Sequence, residues 1–109
     1  MVRFVWEYRV RRDKVPEFER SYSSVGPWVN LFRRSPGFLG TVLLQDTQEA
    51  CRFLTIDSWV SVAAHSAMRE HFAREYEELD RVCEQLTETE KRIGVFDERV
   101  FGESQIEKA

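Results

Sequence analysis

The sequence predicts an α+β domain whose elements follow the order β-α-β-β-α-β. Three observations carry this. Residues 2–10 alternate apolar and polar with period two. Two β-rich runs, 38–45 and 51–59, flank the polar turn Asp46-Thr47-Gln48-Glu49. Two segments, 15–32 and 64–86, carry apolar residues at steps of three or four.

The first strand sets Val2, Phe4, Trp6, Tyr8 and Val10 on one face and Arg3, Val5, Glu7 and Arg9 on the other. Asp13 is expected to cap the first helix, with Pro16 in its first turn. Val15, Phe18 and Tyr22 follow at helical spacing. Ser23-Ser24-Val25-Gly26-Pro27 breaks that spacing, and Pro27 suits the start of a new helical turn. Trp28, Leu31 and Phe32 continue the stripe until Ser35-Pro36-Gly37 ends it. The second strand is read with Phe38, Val42 and Leu44 on one face and Leu39 and Leu43 on the other. The third, from Cys51 to Trp59, opposes Leu54 and Ile56 to Phe53 and Trp59. Ser61 reads as the cap of a long helix with the stripe Ala64, Met68, Phe72, Tyr76, Leu79, Cys83 and Leu86, continuous or joined near Arg69 to His71. Thr87-Glu88-Thr89-Glu90 has capping-box form and is read as a short turn, ahead of a last strand from Ile93 to Phe101. The domain is expected to span 1–101, with a polar tail at 102–109. This order is that of the ferredoxin-like split arrangement, an antiparallel sheet with both helices on one face.

Composition narrows the function classes. At 109 residues the chain suits one domain, and 42% hydrophobic residues supply a core. A net charge of −3 argues against nucleic acid as a partner, and a pair such as Arg33-Arg34 is weak evidence for one. No apolar stretch is long enough to span a membrane, and the charged N-terminus is unlike a signal peptide, so a cytoplasmic protein is expected. Cys51 and Cys83, expected in a strand and on a helix, match no metal or redox spacing and read as free thiols.

The strands also predict a partner. A sheet covered on one face should alternate cleanly, and the second and third strands carry apolar residues on both faces. The uncovered patch calls for a second copy in a two-fold arrangement, hence a homodimer.

Three stretches carry a family resemblance: Trp6-Glu7-Tyr8-Arg9-Val10, the run from Gly26 to Thr41 (Gly26-Pro27-Trp28-Val29-Asn30-Leu31-Phe32-Arg33-Arg34-Ser35-Pro36-Gly37-Phe38-Leu39-Gly40-Thr41), and the strand ending in Trp59 before a long helix. With these the chain resembles the antibiotic biosynthesis monooxygenase (ABM) family of dimeric α+β barrels. The resemblance implies a homodimer with a ligand pocket between sheet and helices. It implies fold more than activity, since the superfamily holds cofactor-free oxygenases, haem-degrading enzymes, isomerases and proteins without a known reaction. Haem-degrading relatives carry an Asn in the first strand, where Tyr8 stands, and an axial His on the second helix, where this chain has Glu75, Glu77 and Glu78. Many other relatives have a His about nine residues after the strand-end Trp. Here that position is Met68, with His65 and His71 one turn to either side.

On the pocket face, Trp6 and Tyr8 from the first strand, Trp28 and Phe32 from the first helical segment, and Met68 and Phe72 from the second are expected to bind a small aromatic or hydrophobic molecule. The Gly26-Pro27 break beside Trp28 and Phe32 reads either as a corner or as a gate. Tyr8, His65 and Arg69 are the candidate catalytic groups. His65 and His71, six apart, lie about 240° apart on a helix and cannot share a metal, so no metal site is expected. No phosphate loop or dinucleotide fingerprint is present, and no cofactor is expected. The leading function is a cofactor-independent monooxygenase in which the substrate, once deprotonated, supplies the electrons to dioxygen. The alternative is a homodimeric small-molecule-binding module without catalysis. Haem degradation comes third.

Overall fold

Alternation at the N-terminus produces a central strand, β1 (Val2–Val10), in the computed structural model, which describes residues 1–99. β1 pairs antiparallel with β3 (Arg52–Trp59) on one side and with β4 (Thr87–Asp97) on the other. β2 (Phe38–Gln45) adds to β3, giving the order β2-β3-β1-β4. This is the split arrangement expected: each pair of strands joined by a helical crossover holds a third strand between them. The crossovers are α1 (Val15–Tyr22) with α2 (Pro27–Phe32), and α3 (Val62–His71) with α4 (Ala73–Cys83).

Register decides the two faces. Phe4, Tyr8, Val10, Phe53, Thr55 and Trp59 are buried on the inner face, against Phe18, Tyr22, Trp28, Leu31, Phe32, Met68, Cys83 and Leu86 of the helical layer. The outer face carries Val5, Leu54 and Ile56, half-buried, and Leu39, Val42, Leu44 and Phe96, exposed. Arg52 crosses this face and binds the carboxylates of Glu7 and Asp46 at 2.6 and 2.8 Å.

Local chemistry explains the ends and breaks. Ser61 Oγ accepts the Ala64 N–H at 3.1 Å and caps α3. The second helical region is two helices meeting at Phe72, whose ψ of 29° leaves the helical basin. At Gly26, an added Cβ would lie 2.4 Å from the Arg20 carbonyl oxygen, so a larger residue would push α1 and α2 apart. Gly37 combines a φ of +93° with close approach to Val60 and Ala64.

Several expectations are corrected. A bulge between Phe38 and Gly40 inserts Leu39 into β2. It reverses the parity, so Phe38 packs inward with Leu43 while Val42 and Leu44 face out. Asp13 does not cap α1. It lies in a 3₁₀ turn, Arg12–Lys14, and the helix starts with no side-chain cap, Pro16 sparing it one unsatisfied N–H. Cys51 is a turn residue just before β3, where its carbonyl accepts the Val10 N–H at 2.8 Å. Thr87 to Glu90 is strand, because its backbone groups pair with β1. The short turn is the 3₁₀ segment Glu84–Leu86 before it. The last strand therefore runs Thr87–Asp97; Phe101 and the tail at 102–109 lie outside the described residues. Cys51 and Cys83 are both free. Among the described residues no helix is long and apolar enough to cross a membrane.

Candidate functional site

Between the sheet and the helices lies a cavity of about 140 Å³. Inward parity brings Trp6 and Tyr8 to it from β1, and Thr55 and Asp57 from β3. The bulge in β2 turns Thr41 inward, and Glu90 comes from β4. Tyr22 of α1, Trp28 and Phe32 of α2, Arg69 of α3, and Tyr76 and Asp80 of α4 close the other side.

The aromatic part is rigid. Trp28 packs against Tyr22, Phe32 and Tyr76 with ring centroids 6.1, 5.8 and 4.9 Å apart. Trp28 and Phe32 are buried at 6% and 5% exposure, so the Gly26-Pro27 break serves as a corner that seats a wall. Trp28 Nε1 is buried with no well-formed hydrogen bond, and the groups it approaches are the Tyr22 hydroxyl and the Cys83 thiol.

The polar part is unusual for a sheet's inner face. The Tyr8 hydroxyl lies 3.1 Å from Thr55 Oγ1, and burial holds its phenol well above the usual value. Tyr8 is thus a fixed, protonated group that suits hydrogen bonding better than proton abstraction. Asp57 Oδ1 accepts a 2.7 Å hydrogen bond from Thr41 Oγ1. Burial pushes the Asp57 carboxyl up to about 6 against the lowering effect of that bond. Glu90 keeps solvent along its length, yet partial desolvation of its carboxyl, with Asp80 and Glu84 nearby, pushes it up to about 7. Burial also raises Asp80, helped by Glu84 and opposed by Arg69. The Arg69 guanidinium stacks 3.9 Å above the Tyr76 ring.

Of the residues singled out from sequence, Trp6, Tyr8, Trp28, Phe32 and Arg69 come together on this cavity. His65, Met68 and Phe72 do not. His65 stacks on Phe4 at 3.8 Å and meets the Trp59 edge at 5.5 Å. Burial, with Arg69 and Arg92 nearby, lowers it to about 4, so it is a neutral ring in an aromatic stack. Met68 sits about 100° around α3 from Arg69 and points elsewhere. Met68 and Phe72 line a separate groove of about 790 Å³ beside the Ser35–Gly37 turn. That groove is wide and mostly small and apolar, with Gly37, Val60, Ala64 and Ala67. The smaller cavity is where polar groups converge on an aromatic enclosure.

The sequence reading missed Tyr22, Thr41, Thr55, Asp57, Tyr76, Asp80 and Glu90. Asp57 did leave a signal: Phe53, Thr55, Asp57 and Trp59 share one parity, so a carboxylate was due on the inner face. Tyr76 was already in the helical stripe. Thr41 needed the bulge, and Glu90 lay in a segment read as a turn.

The sequence profile for antibiotic biosynthesis monooxygenase matches residues 1–76. SnoaB, a cofactor-independent oxygenase from Streptomyces nogalater, superposes with a TM-score of 0.74 at 22% identity, over 92% of this chain and 94% of that one. A protein from Pseudomonas aeruginosa superposes with a TM-score of 0.67 at 18% identity, over 91% and 94%. At such identities these likenesses speak to the fold. No functionally curated protein matches the chain in sequence.

Proposed function

The chain belongs to the antibiotic biosynthesis monooxygenase family, and from that premise we propose that it is a cofactor-independent monooxygenase acting on a small aromatic, polyketide-like substrate. The observation that carries this reading is the cavity itself: an aromatic enclosure with protonated phenols, one arginine and a half-buried carboxylate, Asp57, on its wall. Such chemistry asks the protein to bind, orient and move a proton, while the substrate's own carbanion supplies electrons to dioxygen. Trp6, Trp28 and Phe32 hold the ring system, Tyr8 offers a hydrogen bond, and Arg69 balances negative charge developing near Tyr76. A cavity of this volume takes about one aromatic ring, by comparison with the roughly 150 Å³ that accommodates benzene. Further rings would extend past Arg69, Asp80 and Glu90. The working form is a homodimer, as is typical of the family, with the apolar outer face of the sheet as the contact.

Oxygen uptake with a hydroxyanthrone-like substrate, without added flavin, haem or metal, tests the reading. Enzyme-dependent uptake with formation of the quinone is expected. Quenching of tryptophan fluorescence by the ligand with no uptake above the spontaneous rate would leave a binding module instead. A Soret shift on adding haem would move the protein to the haem-binding branch of the superfamily.

A further inference from the structure

We propose that Asp57 is the catalytic base of this site, taking a proton from the activated carbon of the aromatic substrate, and that Thr41 is the residue that positions it. The proposal rests on the monooxygenase reading and deepens it.

Asp57 is hard to explain by stability. It lies within a strand on the inner parity, a place where Asp is depleted and a desolvated charge is costly. No arginine or lysine is within salt-bridge distance of it among the described residues, and its one hydrogen bond there comes from Thr41. Asn or Thr would fill the position at lower cost. A carboxylate held by one oxygen, on the wall of an aromatic cavity, leaves its other oxygen for an occupant. Desolvated carboxyl groups without a charged partner concentrate at working sites.

The surroundings set how it titrates. From β1, Phe4 lies opposite it in the ladder and Tyr8 is a protonated phenol. From α3 come neutral His65 and cationic Arg69; from α4, Tyr76 and Asp80. β4 contributes Glu90, and Arg92 lies over the Phe4 ring at 5.2 Å. Burial outweighs the rest and makes Asp57 a stronger base than an ordinary carboxylate.

The reaction balances with dioxygen as co-substrate. A methylene C–H bond between aromatic rings breaks, the proton goes to the Asp57 carboxylate and the electron pair stays on carbon. Dioxygen takes those electrons and a C–O bond forms. Asp57 returns the proton to the distal oxygen, giving a hydroperoxide. It then takes the second C–H proton as the O–O bond breaks, and delivers it to the departing hydroxide. Carbon is oxidised to a carbonyl by four electrons, and one oxygen atom leaves as water.

The test compares wild type, Asp57→Asn and Thr41→Val by oxygen uptake across pH, with ligand affinity read separately as fluorescence quenching by the anthraquinone product. Wild-type kcat should rise with an acid limb near 6. Asp57→Asn should keep affinity, lose kcat on the order of 100- to 10,000-fold, and lose the limb. Thr41→Val removes the bond that holds the carboxylate and favours its charged form, so its limb should move to higher pH and its plateau kcat should fall, by less than in Asp57→Asn, while Thr41→Ser should restore both. If Asp57→Asn keeps kcat within a few-fold, or an unchanged limb survives in both variants, Asp57 is not the base while the monooxygenase reading stands. If wild type takes up no oxygen, the reading and the base fall together.

Discussion

Asp57 and His65 are half-buried ionisable groups whose pH signatures run in opposite directions. The carboxyl of Asp57 sits at about 6 in the fold against 3.8 unfolded. The fold therefore binds its proton more tightly. Its contribution favours the fold fully below about pH 4 and is lost as pH rises through 6. Asp57→Asn removes that cost. It should raise stability by up to about 3 kcal/mol at pH 8, and the gain should vanish at pH 4. Thermal melts at the two pH values check this, and equal shifts at both would contradict it. His65 is lowered from 6.5 to about 4, so its contribution is present above 6.5 and is lost as pH falls toward 4. His65→Phe keeps a ring against Phe4. Its stability relative to wild type should improve steadily from pH 7 to 4.5, with oxygen uptake retained; parallel pH profiles would refute it. Trp6 and Tyr8 were legible at this scale, because alternation along β1 is a local pattern, while Asp57 shared the inward parity of Phe53 and Trp59 without being singled out. That Asp57 lines a cavity was not legible, because enclosure depends on what packs above it.

At the scale of elements, the breaks decide the site. Gly26 lets α1 and α2 meet at a sharp corner, and that corner aims Trp28 at the cavity. Gly26→Ala should cost about 2 kcal/mol or more, since its Cβ would meet backbone that cannot yield cheaply. Chemical denaturation measures it, and a neutral result would mean the corner is soft. Trp28→Ala should cost roughly 3–5 kcal/mol as a buried aromatic and also weaken binding of an aromatic ligand. A stability loss with unchanged affinity would make Trp28 core alone. The Gly26-Pro27 break was readable because Gly and Pro act locally. The bulge at Leu39 was not, since nothing in Phe38-Leu39-Gly40 says which residue is extra until β3 supplies the partners. The same holds for Thr87, where a local capping pattern lost to ladder pairing with Val10.

For the whole molecule, the issue is the outer face of the sheet. Leu39, Val42 and Phe96 are about half exposed there, and the helices cover only the other side. Wild type should sediment as a dimer at micromolar concentration, and Val42→Lys with Leu44→Lys should give a folded monomer. A folded wild-type monomer at that concentration would remove the case for pairing through this face. Sequence alone determined the element order, the faces of β1 and β3, the aromatic stripe and the surplus of apolar residues on the sheet, because period and turn chemistry are properties of neighbouring residues. Only the tertiary structure decided that Asp57 and Thr41 meet, that Arg69 and not Met68 reaches the cavity, and that His65 is spent in a stack. Those outcomes depend on strand register and on the rotation of α3 about its axis, which are set by packing between residues far apart in the chain.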